Sequence, residues 1–328
     1  MRKLTEIKGN PLILSEKEVR DTLQKIGWNK IIDSVAETFI EEAYGRAVSP
    51  PKLIMGLEEF NNDYRMMPSR MRKYPEYVGT KIVSACSDNP SKHNLPLAMG
   101  IYLLNNAETQ ETKMIFDCTI STAYRTAAAT AVAVRELSKP NAKTLGIIGC
   151  GQQAYYHIPA IKAVRNIEEV YVNDLCDEKV DEIAGKFIKL RKASKKDILN
   201  NLDIVVTMTP TKQPHIFPDD IQNREMTICS IGGDSKFKLE FAPEVLNKVD
   251  HFCDSYEQIA HTGTFSRALK EGIIQKSDLK SLGNYMIDKN GLDNDKKVKM
   301  FFSTGVALED LAMAILLDKN FQTESGFV

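Results

Sequence analysis

The stretch Thr144-Leu-Gly-Ile-Ile-Gly-Cys-Gly-Gln-Gln-Ala-Tyr-Tyr156 decides the fold. An apolar run rich in β-branched residues stops at Gly149 and Gly151, spaced G-x-G, and the amphipathic His157-Ile-Pro-Ala-Ile-Lys-Ala-Val164 follows. A buried strand turning sharply into a helix presents backbone N–H groups and a helix N-terminus to a pyrophosphate. Ala154 stands where a third glycine is usual, and a small residue there lets helix and strand approach closely. Such turns also occur at purely structural corners, so the flanking sequence has to decide between the two.

Toward the C-terminus, Glu168-Glu-Val-Tyr-Val-Asn-Asp174 reads as a second strand, with Asp174 at its tip 25 residues after Gly149. An acid there accepts hydrogen bonds from adenosine ribose hydroxyls and repels a 2′-phosphate. Leu175 and Cys176 supply no arginine, so NAD is expected rather than NADP. A charged helix from about Glu178 to Lys192 is predicted next. Asp203-Ile-Val-Val-Thr-Met-Thr209 and Met226-Thr-Ile-Cys-Ser-Ile-Gly232 are continuous apolar strands of the kind buried on both faces of a parallel sheet. Strands alternating with helices give an α/β, doubly wound domain of Rossmann type. Its cofactor contacts are expected from Gly149, Gly151, Gln152, Gln153, Ala154 and Asp174, and from Thr207 and Thr209 at the next strand end.

Toward the N-terminus the architecture changes. Ser15-Glu-Lys-Glu18 fits a capping box and starts a helix to about Ile26. A second helix from about Lys30 to Tyr44 carries Ile31, Ile32, Val35, Phe39 and Ile40 on one face. Short extended segments follow around Lys52–Leu57, Tyr64–Met67, Val78–Ala85 and Met99–Asn105, and predict an antiparallel or mixed sheet. The alanine-rich Thr119–Leu137 is a helix, and another runs from about Val306 to Leu317.

A chain of 328 residues is expected to hold two domains. A net charge of −1 gives no basic field for nucleic acid or an anionic membrane. The first residues lack the apolar core of a signal peptide, and no run approaches the roughly 18 apolar residues of a spanning helix. Six scattered cysteines read as reduced thiols of a cytoplasmic protein. The five histidines form no metal-ligand spacing, so no metal is expected.

Three cations stand in otherwise apolar or small surroundings: Arg65 before Met66-Met-Pro68, Lys81 in Val78-Gly-Thr-Lys-Ile-Val83, and Arg125 in the Ser/Thr/Ala helix. A bidentate arginine with a lysine would hold a substrate carboxylate, although each alone also reads as a structural charge. Asp234, after Gly232-Gly233, follows a parallel strand and so lies at the edge where doubly wound sheets bind ligands. It fits a general base or an anchor for an ammonium, and equally a turn or helix cap.

Lys81, Asp88-Asn-Pro-Ser-Lys92, Ser121-Thr-Ala-Tyr-Arg-Thr-Ala127, Gly149-Cys-Gly-Gln-Gln-Ala154, Gly232-Gly-Asp234 and Ser303-Thr-Gly-Val-Ala-Leu-Glu-Asp310 occur in this order. Together they make a chain that resembles the ornithine cyclodeaminase/μ-crystallin family from about Pro51 to Asp310. The resemblance implies an NAD-binding Rossmann domain over residues 119–305. It also implies an α+β substrate-binding and dimerisation domain over 1–118, joined by 306–328, in a homodimer without metal. It implies hydride transfer at the α C–N centre of a small amino-acid, imino-acid or 2-oxo-acid substrate through an imine. Lys81 and Arg125, with Arg65, would hold the carboxylate. Asp234 would be the catalytic acid/base beside Lys81, and Thr304 and Gly305 would add cofactor contacts. Ornithine cyclodeaminases of the family carry a glutamate where this chain has Arg65, whose charge would repel a distal ammonium. Leu97 and Phe302 replace a threonine and an acid found in many members. The branches left open are an amino-acid dehydrogenase such as alanine dehydrogenase, an ammonia-releasing cyclodeaminase, and an opine-type or ketimine reductase making a siderophore or amino-acid precursor. A non-catalytic, crystallin-like nucleotide-dependent binding protein is the rival from another class.

Overall fold

A computed structural model describes residues 10–60, 62–86, 88–233, 235–289 and 296–324. The first residues, read above for a leader, and Asp234 lie outside the described residues. The chain divides into two compact units, residues 1–125 with 306–328, and residues 126–305, so the division falls within the alanine-rich helix.

In the first unit, β1 (Leu12–Leu14), α1 (Glu16–Ile26) and α2 (Trp28–Ala43) precede β2 (Ala47–Val48), β3 (Leu53–Leu57), β4 (Asn62–Met71), β5 (Tyr77–Ala85), β6 (Ala98–Asn106) and β7 (Thr112–Asp117). The capping box is present: Ser15 N donates to Glu18 Oε2 at 2.8 Å, and Glu18 N to Ser15 Oγ at 3.4 Å. The sheet order is β1-β7-β6-β5-β4-β2, with β3 also on β4. β1 pairs in parallel and the rest antiparallel, so the sheet is mixed. α3 (Thr119–Leu137) begins in this unit, and the closing helix packs on α2, β4 and β5. One sheet face is buried through Met67, Met71, Lys81, Tyr102 and Phe116. Period-2 alternation leaves the opposite face apolar yet open, with Leu53 at 58%, Met66 at 37% and Ile101 at 43% exposure.

In the second unit, β8 (Thr144–Ile148), α4 (Ala154–Val164), β9 (Glu169–Asn173), α5 (Asp177–Ala184), β10 (Leu190–Lys192), α6 (Lys195–Asn201), β11 (Ile204–Thr207) and β12 (Met226–Ser230) alternate as predicted. Then come β13 (Val249–Cys253), α7 (Tyr256–Ile259), α8 (Gly263–Lys270), β14 (Leu279–Ser281), α9 (Leu282–Ile287) and β15 (Val298–Phe302). The order β10-β9-β8-β11-β12-β15-β13-β14 is parallel throughout the described residues. It reverses direction between β8 and β11, the switch point at which such sheets bind ligands. Val205, Ile228, Met300 and Phe252 are fully buried, as continuous apolar strands require. Ala127 to Val134 of α3 are buried all round, the small side chains permitting close packing. The chain's last helix, α10 (Ala307–Glu324), belongs to the first unit.

One predicted element is corrected. The charged helix expected to reach Lys192 stops at Ala184 before Gly185, and Leu190–Lys192 pairs with Val170–Val172 as β10. Lys189 adopts φ 65°, a left-handed turn that ends any helical continuation, and ladder hydrogen bonds win over the local charge pattern.

Candidate active site

The glycine loop of the second unit has the geometry its sequence predicts. Gly149 adopts φ 100°, and a Cβ there would lie 2.8 Å from the Met208 carbonyl oxygen, so only glycine fits. A Cβ on Gly151 would meet nothing within 4 Å, which leaves its backbone open to a ligand. Ala154 is fully buried at the start of α4. The loop's own hydrogen bonds run from the N–H of Gly149, Cys150 and Ala154. Those of Gly151, Gln152 and Gln153 have no protein acceptor among the described residues. Asp174 sits at the tip of β9, its Oδ2 accepting from Cys150 N at 2.7 Å and its Oδ1 from Cys176 N at 2.9 Å. Asp174 therefore ties the tip of β9 to the glycine loop. Burial, with Asp174 adding to it, pushes the Cys150 thiol up to about 12, which keeps it neutral.

Thr207 and Thr209 point into a different network. Both hydroxyls donate to the buried Glu240, at 2.8 and 2.7 Å, so their side chains are engaged by the protein itself. Thr304 and Gly305 are held by Asp254, a second buried acid that follows β13. Its Oδ2 accepts from Thr304 N at 2.5 Å and Gly305 N at 2.7 Å, and its Oδ1 from Thr304 Oγ1 at 2.8 Å. Glu240 and Asp254 are buried acids that hold these strand-end loops, and sequence reasoning missed both. Leu97 is exposed, and Phe302 is buried edge-on against Phe241 and Phe265.

In the first unit, Lys81 and Arg125 are brought together, each under a tenth exposed. Lys81 Nζ lies 3.0 Å and Arg125 Nε 3.2 Å from Asp310 Oδ1, and Arg125 Nη1 lies 2.8 Å from Glu309 Oε2. These contacts pair cations with acids, the condition under which charges tolerate burial. Glu309 and Asp310 close the Ser303–Asp310 motif, and α10 places them in its first turn against β5. Tyr102 pairs with Lys81 across β5 and β6, so both side chains stand on the same sheet face. Its hydroxyl and Asp310 Oδ2 are buried without a hydrogen-bond partner among the described residues. Burial pushes the Tyr102 hydroxyl up, and pushes the nearby Cys118 thiol up to about 11 against the opposing pull of Lys81. Arg65 shares that face, because it lies two residues from Met67, the partner of Lys81. Its guanidinium is bidentate to Asp63, at 2.9 and 2.6 Å, which offsets the charge expected from sequence. Among the described residues no group of three or more His, Cys, Asp or Glu side chains could hold a metal. No helix there is long and apolar enough to cross a membrane.

The model of the ornithine cyclodeaminase/mu-crystallin family matches residues 11–325. The chain belongs to this family. Among its relatives in the family, the alanine dehydrogenase of Archaeoglobus fulgidus is 31% identical over 318 residues, 94% of each chain. The Δ1-pyrroline-2-carboxylate reductase of Bacillus cereus is 28% identical, covering 92% of this chain and 94% of its own. Two solved structures share the fold over 96% of this chain. An archaeal alanine dehydrogenase dimer with bound NAD has TM-score 0.87 and 30% identity and is covered to 97%. The Thermococcus litoralis Δ1-pyrroline-2-carboxylate reductase with NADH and L-proline has TM-score 0.88 and 28% identity and is covered to 98%.

Proposed function

We propose that this chain is an NAD-dependent oxidoreductase that transfers hydride at the α C–N centre of a small amino acid or its imine, in net redox turnover. One observation carries the reading: Lys81 and Arg125 converge on a single carboxylate oxygen, Asp310 Oδ1. Lys81 keeps further ammonium protons beside the Arg125 guanidinium, so a substrate α-carboxylate meets a donor and two positive charges there. The glycine loop and Asp174 fit the dinucleotide, through the open backbone at Gly151 and the acid at the strand tip. Bound NAD supplies the hydride acceptor and donor. Lys81 and Arg125 then fix the carboxylate and with it the direction of the α-hydrogen, which is catalysis by positioning. Asp234 takes a proton from the substrate amine and returns one to the imine nitrogen in reduction.

The test is a panel of amino acids, 2-oxo acids with ammonia, and cyclic imines assayed with purified protein and NAD(H), reading NADH absorbance and product mass. NADH formed or consumed in step with product is the expected result. Proline and ammonia from ornithine without net NADH would replace it by cyclodeamination. Tight NADH binding with no turnover on any member would favour the non-catalytic binder.

The protein acts as a homodimer through the open sheet face. Ile13, Leu53, Met55, Met66, Met99 and Ile101 share that face by strand register, each more than a third exposed. Contiguous apolar surface of this kind marks an interface, and the similar archaeal alanine dehydrogenase is a dimer. Sedimentation is expected to give twice the chain mass at micromolar concentration; a monomer there removes the assignment.

A further inference from the structure

Glu240 is an acid with no cation paired to it among the described residues, yet it is only 1% exposed. Its Oε2 accepts from Thr207 Oγ1 at 2.8 Å, Ser230 Oγ at 3.0 Å and Gly232 N at 3.0 Å. Its Oε1 accepts from Thr209 N at 2.8 Å and Thr209 Oγ1 at 2.7 Å. Every one of these donors lies at the carboxyl edge of β11 or β12, where a doubly wound sheet binds its ligand. Gly232 is shaped to this acid: a Cβ there would fall 2.7 Å from Glu240 Cδ and 2.2 Å from the Thr209 carbonyl oxygen. Chain connectivity then carries the backbone from Gly232 to Asp234 in two residues. The backbone carbonyl of Glu240 accepts in turn from His215 N and Ile216 N, each at 3.1 Å. His215 Nε2 also lies 3.1 Å from Thr209 Oγ1, so this is a titratable side chain bonded into the network.

We propose that Glu240 is a positioning residue for the reaction, whose carboxylate ties the Thr209 loop to the Gly232-Gly233 loop that immediately precedes the acid/base Asp234 in sequence. The proposal rests on Asp234 being the acid/base. Burial pushes the Glu240 carboxyl up and its hydrogen bonds pull it back. The pattern of five donors on two oxygens is that of an acceptor-only group. On this pattern glutamine is expected to be a poor substitute. One backbone N–H points at each oxygen, and whichever way a glutamine amide turns, its NH2 faces either Thr209 N or Gly232 N. A rotating hydroxyl adapts to that reversal; a backbone N–H does not.

The experiment compares Glu240→Gln, Asp234→Asn and the unaltered protein, using NADH and the substrate found by the panel above. Glu240→Gln is expected to lower kcat about 10- to 100-fold, the scale of a small misplacement. It should move the pH limb of kcat and weaken NADH binding less than tenfold. Amide exchange over residues 230–233 should quicken in the NADH-bound protein while exchange in β8 and β9 stays unchanged. Unaltered kcat and pH limb in folded Glu240→Gln overturn the proposal. So does a loss of NADH affinity that matches the loss in kcat with the limb unmoved, since that is support of the scaffold alone. Turnover retained by Asp234→Asn would instead remove the acid/base reading beneath it. If Glu240→Gln does not fold, Ser230→Ala keeps the carboxylate and both backbone contacts and removes one hydroxyl donor. A shift of the pH limb in that variant supports the assignment, and an unmoved limb overturns it.

Discussion

Lys81→Met is expected to lower unfolding free energy by about 3–5 kcal/mol and kcat/KM by about 10²–10³-fold. The side chain is 1% exposed and methionine fills a similar volume, so packing loss is small. What remains is an acid: among the described residues Asp310 keeps only the Arg125 Nε contact at 3.2 Å, with its second oxygen already unpartnered. A buried charge stripped of its partner costs more than the pair contributed. The double variant Lys81→Met/Asp310→Asn removes one charge of each sign, leaves Arg125 on Glu309, and lets the asparagine oxygen accept from Arg125. It should recover more than half of the lost stability. It should not recover turnover, because the lysine proposed to hold the substrate carboxylate is still missing. Urea unfolding and steady-state kinetics on the same preparations separate the two roles. A single variant within about 1 kcal/mol of the parent would mean the cluster is not held by charge pairing. Activity restored by the second substitution would mean Lys81 serves the fold and not the substrate.

This cluster also shows what a sequence makes legible. Lys81 stood out because a cation inside Val78-Gly-Thr-Lys-Ile-Val83 conflicts with its neighbours, and Arg125 because it interrupts alanines. Conflict of that kind is local and visible. Their partners were not visible, because Asp310 lies 229 residues from Lys81 and meets it only where α10 returns over the sheet. Glu240 hides for another reason. In Lys238-Leu-Glu-Phe241 it looks like any surface acid, and its partners are hydroxyls and N–H groups, which carry no charge signal. The strands β1, β10 and β14 have three residues each, too short for a period-2 pattern, and take their conformation from the neighbours they pair with. The glycine turn was legible because its constraint is written in one residue type over a few positions.

That turn supports the second large effect, in which its two glycines, one residue apart, give opposite results. Gly149→Ala is expected to destabilise the second unit. The left-handed φ of 100° costs a side chain about 1–3 kcal/mol, and the new Cβ at 2.8 Å from the Met208 carbonyl meets backbone that cannot swing aside. Since Met208 N in turn donates to Ile148 O at 2.8 Å, relief of the clash pulls β8 and the segment after β11 apart at the switch point. Thermal unfolding should therefore begin earlier, and NADH should bind weakly to what remains folded. Gly151→Ala has none of these problems, because its backbone is not left-handed and its Cβ enters open space. Unfolding free energy should stay within about 0.5 kcal/mol of the parent. NADH affinity should nonetheless fall tenfold or more, about 1.4 kcal/mol, because that open space is where the pyrophosphate must approach the backbone. The rise in melting temperature that NADH gives the parent should shrink accordingly. Melting curves with and without NADH, joined to a fluorescence titration, read both quantities. If Gly151→Ala binds NADH like the parent, the pyrophosphate does not lie on this loop. The agreement of G-x-G spacing, φ 100° and Asp174 would then describe a strand–helix corner and nothing more.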